Sequence, residues 1–113
     1  MQAIEWNRCV ELAGGDEKLA KTLLALFMQH LPASQLAIQE ALLVENYSEL
    51  ARQLHKLYGA CCYCAVPMLT DCLMKMEEAI KADKLALLLE LNKKLNEEVK
   101  AVAICYEKFL QEE

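Results

Sequence analysis

Only five residues of the 113 are glycine or proline: Gly14, Gly15, Pro32, Gly59 and Pro67. So few breaks leave helix as the default, because these two residue types disfavour it most. Between them apolar residues recur three and four apart, the spacing of one helical face. No strand-like alternation, low-complexity segment or internal repeat is present. The pattern predicts an all-α protein, an antiparallel four-helix bundle with an additional short N-terminal helix, spanning 1–113 as a single domain.

The first helix is expected over 4–13, with Trp6, Cys9, Val10 and Ala13 on one side. Gly14-Gly15 ends it, and Asp16 is suited to cap the next. That second helix carries Leu19, Leu23, Phe27 and Leu31 at intervals of four. Pro32 is expected to kink or restart it, with Leu36, Leu42 and Leu43 continuing the apolar pattern to about residue 45. Asn46-Tyr47-Ser48-Glu49 has the form of a capping box opening a third helix, in which Leu50, Leu54, Leu57 and Cys61 align. Pro67 suits a first helical turn, followed by Leu69, Leu73, Met76 and Ile80. A last helix over about 84–112 presents Leu88, Leu91, Leu95, Val99, Val102, Tyr106 and Phe109.

The formal charge of −5 argues against binding to a nucleic-acid backbone, which calls for a basic face. No apolar run approaches the roughly 20 residues of a membrane span. No secretion signal is visible, so a cytoplasmic location without membrane contact is expected. On the same ground the six cysteines read as reduced, small apolar residues.

The stretch "LHKLYGACCYC", residues 54–64, concentrates the chemistry. On a helix His55 lies about 100° from Leu54, at the flank of the core face, with Ser48, Arg52 and Gly59 beside it. Gly59 follows at i+4 and leaves a gap where something can approach Nε2. If the chain turns back near Val66, Glu77 comes level with His55. A carboxylate there would hold the Nδ1 proton and leave Nε2 free as a nucleophile. Two other readings stay open: cysteine chemistry, with Cys61, Cys64 and Cys72 as zinc ligands or Cys62 as a redox-sensing thiol, and a helical interaction module without chemistry. Since "CCxC" is an unusual zinc spacing, no metal ligands are assigned. His30, just before Pro32, is expected to be structural, at a helix C-terminus that favours a cation.

The segment "LARQLHKLYGACCYCAVPMLTDCLMKMEEAI" and the leading "W…LAGG…LA" resemble histidine phosphotransfer (HPt) domains, most of all those that end BarA/GacS-type hybrid sensor histidine kinases. The resemblance implies a phosphocarrier in a two-component phosphorelay. His55 is then the phosphoacceptor, Lys56 its adjacent base, Gly59 the clearance residue and Glu77 the group that orients the ring. It also implies receiver-domain partners and a domain with no cofactor of its own, Mg²⁺ belonging to the receiver; a monomer is expected. Where many members carry lysine three residues after the histidine, this chain has Tyr58, a single neutral donor. Phosphoryl stabilisation then rests on Lys56 and Arg52, and the docking face comprises Ser48, Arg52, Lys56, Gly59 and Cys62.

Overall fold

A computed structural model describes residues 2–112. Five helices follow in order: α1 Trp6–Leu12, α2 Glu17–Leu43, α3 Tyr47–Cys61, α4 Pro67–Lys81 and α5 Leu85–Gln111. No strand occurs among the described residues. Short connections fold α2 to α5 into an up-down bundle. Its long axis of 42 Å matches the roughly 40 Å of a 27-residue helix, so α2 and α5 each run its full length. The α3–α4 hairpin is shorter, and α1 packs at its turn: the Glu5 amide donates to the Ala65 carbonyl at 2.9 Å. The Trp6 ring meets Phe109 of α5 at 4.7 Å between centroids.

Side-chain capping sets the starts of α2 and α3. Asp16 accepts from the Leu19 amide at 3.0 Å, and Asn46 from the Glu49 amide at 3.1 Å. Glu49 does not complete the expected box, because the Asn46 amide already donates to the Ala41 carbonyl. At the far ends of α2 and α4 the chain turns through left-handed Glu45 and Asp83, each with φ 56°.

Pro32 neither ends nor restarts α2. It is exposed, and the residues on either side continue one buried line: Ala20, Leu24, Phe27, Leu31, Ile38 and Ala41. Burial of that line offsets the missing amide and the roughly 3 kcal/mol cost of an internal proline. Two expectations fall with it. Ile38 lies within about 20° of Leu31 on a continuous helix, whereas Leu36 is about 140° away, and Leu36 is exposed, as is Leu43. Leu19 is exposed too, because steps of four overrun each turn by about 40°.

The centre of the core is Leu50, Leu54, Leu69, Leu73, Met76 and Leu95, all fully buried. Where α2 meets α5 the seam is polar: Gln39 and Asn92 exchange two amide hydrogen bonds of 2.7 and 2.9 Å, and Gln35 donates to Asn96 at 2.9 Å.

Candidate functional site: the exposed flank of α3

Leu50, Leu54, Leu57 and Cys61 bury one face of α3 against its neighbours. That burial fixes the rotation of the helix and turns Ser48, Arg52, His55, Lys56, Gly59 and Cys62 outward together. The His55 side chain is 78% exposed, yet its Nδ1 stands 3.7 Å from Oε1 of Glu77 on α4. This is within ion-pair reach and too long for a hydrogen bond. The same Oε1 is buried and has no hydrogen-bond partner. A desolvated carboxylate oxygen without a donor is costly, and the imidazole Nδ1–H is the donor beside it. A hydrogen bond from Nδ1–H to this oxygen would fix the tautomer and leave Nε2 as the free nitrogen.

A Cβ added at Gly59 would meet nothing within 4 Å. The glycine is therefore not required by packing within the domain, and it leaves bare backbone one turn beyond His55. Tyr58 is half-buried, its ring 6.4 Å from the imidazole and inclined by 26°. It flanks His55 on the side where Lys56 does not.

The cations of this flank differ in availability. Lys56 makes no ion pair or hydrogen bond among the described residues and is exposed. Arg52 is engaged as a fork by Glu49: Nε donates to Oε2 at 2.9 Å and Nη2 to Oε1 at 2.7 Å. Gln53 adds a third bond to that carboxylate at 2.8 Å. These donors, Arg52 first, hold the Glu49 carboxyl down at about 2.

The cysteines separate. Cys64 points its thiol at the Leu23 carbonyl of α2, while Cys72 points at Leu91 of α5. Desolvation pushes Cys61 and Cys64 up to about 12 and Cys72 to about 11. No group of three His, Cys, Asp or Glu side chains among the described residues is arranged to hold a metal ion. Cys62 alone of the cluster is exposed. His30 is a correction: α2 continues to Leu43, so no helix terminus stands beside it. It is exposed and lines a groove of about 630 Å³ between α2 and α3, with Leu26, Lys56, Ala60 and Tyr63. Sequence reasoning missed this groove and the Glu49–Arg52 fork. The fork has a sequence signal, acid and base at i,i+3 on the histidine's own flank.

No helix among the described residues is long and apolar enough to cross a membrane. Comparison with known proteins gives a consistent picture. The Hpt domain family profile matches residues 22–104. The signal transduction histidine-protein kinase BarA of Escherichia coli K12 is 28% identical over 70% of this chain, and the sensor histidine kinase GacS of Pseudomonas protegens 30% identical over 74%. The chain spans 9% of the length of each of these curated relatives. The crystal structure of the HPT domain of a hybrid histidine kinase from Shewanella superposes with a TM-score of 0.87 at 27% identity, covering 98% of this chain and 96% of that one.

Proposed function

This chain belongs to the Hpt domain family, whose members are phosphocarriers without an ATP site of their own, and from that premise we propose that His55 takes and gives the phosphoryl group. The donor is an aspartyl phosphate on a receiver domain, and the acceptor is an aspartate on a second receiver, that of a response regulator. The Nε2 lone pair attacks phosphorus in line, the P–N bond forms, and the acyl P–O bond breaks to release the aspartate carboxylate. No proton leaves the ring in this step. The product is an N-phosphoryl imidazolium whose Nδ1–H faces Glu77, so the carboxylate offsets charge as it develops. Lys56 stands next to the acceptor as the cation for the phosphoryl oxygens, and Gly59 lets the partner's backbone come close. Mg²⁺ belongs to the receiver, and this chain contributes the nucleophile and its orientation.

The observation that carries the reading is the pairing of an exposed imidazole with a buried, donorless carboxylate oxygen 3.7 Å behind it. Incubation with a phosphorylated receiver tests it. The wild-type chain should gain a label that acid removes and base spares, and His55→Gln should gain none while keeping its helical circular dichroism. Label on the His55→Gln protein would reject the assignment.

A further inference from the structure

A cation one turn before His55 is well placed to meet an incoming phosphoryl group, which carries a charge of about −2. Arg52 holds that position but is held by Glu49 through two hydrogen bonds of 2.9 and 2.7 Å. Glu49 is available for this because the capping box is only half made: its backbone amide serves Asn46, and its side chain has no capping duty. Gln53, on the adjoining groove wall, donates to the same carboxylate, at the Oε1 that also accepts from Arg52 Nη2. Lys56 lies within the field of Glu49 as well, and Tyr58 adds no charge where a further cation would have strengthened the flank.

Resting on the carrier reading above, we propose that Glu49 is a specificity-determining residue of the docking face, which keeps Arg52 from the phosphoryl group and weakens the domain's attraction for phosphorylated receivers. On α3 itself, Arg52, Lys56 and Glu49 sum to one positive charge near His55, where Arg52 and Lys56 alone would give two, and Glu77 stands behind the ring in either case. Long-range attraction to a dianion is thereby reduced, and short-range complementarity decides which receivers stay bound. A receiver that itself presents a cation to Glu49 recovers the interaction by freeing Arg52; one that does not meets a weaker partner. The determinant therefore acts as a filter on the receiver surface around the phosphoaspartate.

The test measures association with a beryllofluoride-activated receiver, and phosphoryl transfer from the phosphorylated one, at about 50 and about 500 mM salt. Glu49→Gln should speed association roughly three- to tenfold at low salt, with the gain disappearing at high salt. The double variant Glu49→Gln/Arg52→Gln should lose that gain. No change in Glu49→Gln, or a gain that survives in the double variant, overturns the proposal. If Glu49→Gln loses helicity, the exchanged pair Glu49→Arg/Arg52→Glu answers the question, since it keeps an ion pair but moves the carboxylate next to His55. Slower association then supports the filter, and a wild-type rate overturns it. His55→Gln is run alongside: label on that protein removes the carrier reading itself, an outcome separate from any effect of Glu49.

Discussion

Glu77 Oε1 and His55 Nδ1 stand 3.7 Å apart across the α3–α4 interface, one sealed from solvent and the other on a ring that is 78% exposed. An exposed imidazole is thus backed by a carboxylate oxygen that has no other donor.

Removing this carboxylate should separate activity from stability. Glu77→Met fills the same space without an orphaned oxygen, so the unfolding midpoint should stay level or rise, by up to about 1 kcal/mol in stability. Transfer should slow by about 10- to 100-fold, the rate equivalent of a charged hydrogen bond worth 1.5–3 kcal/mol. Paired urea titrations and single-turnover transfer assays read both effects. Unchanged transfer would reduce Glu77 to a packing residue.

Gly59 allows a similar separation. Nothing obstructs a Cβ there, so Gly59→Ala should stabilise α3 by about 0.5–1 kcal/mol through helix propensity. Gly59→Leu should fold as well yet hinder the receiver, lowering transfer tenfold or more. Thermal melts followed by transfer assays check the pair. Normal transfer by Gly59→Leu counts against close approach at this turn.

The thiols give a pH signature. The folded pKa values of Cys61, Cys64 and Cys72 lie above the ordinary thiol value of 9.0 because burial disfavours thiolate. Their contribution to stability is therefore intact below about 9, and is lost as pH rises toward 11 and 12, where the unfolded chain has already released its protons. Denaturant midpoints between pH 8 and 11 should fall. In the native protein at pH 8 an aromatic disulfide reagent should modify Cys62 first, the half-buried Cys105 more slowly, and the four buried thiols only on unfolding.

Glu45 ends α2 with φ 56°, a conformation that costs a side-chain-bearing residue about 1–2 kcal/mol. Glycine avoids that cost but brings additional chain entropy, so Glu45→Gly should raise stability by a net ~0.5–1 kcal/mol. Differential scanning calorimetry measures it. A fall in the transition temperature would show that Glu45 makes a compensating contact.

Helix number and the rotation of α3 are legible in the sequence, because each rests on local information: few breaking residues, a capping asparagine and a strong apolar face. The level of Glu77 with His55 follows from the same logic, since a short connection over 62–66 fixes the register of two 15-residue helices. Pro32 misleads because its local cost is outweighed by burial on both sides, which no short window contains. The error then propagates: a restarted helix has no fixed phase, and Leu36 takes the place that belongs to Ile38. Glu49 is misread as a capping partner because the Asn46 amide is satisfied by the Ala41 carbonyl, a consequence of how α2 ends rather than of the four-residue motif. The Gln39–Asn92 exchange lies beyond sequence reading for a further reason: it joins residues 53 positions apart.

A ring so fully in the open has neither lid nor wall, and that bears on time as well as on chemistry. A phosphate placed there would be sheltered from water by nothing the domain owns, and any receiver that the docking face accepts could reach it directly. With His55 as the carrier, storage would be poor and hand-over ready. How long its message lasts would then be decided by how often the next protein calls, not by any clock within the helices.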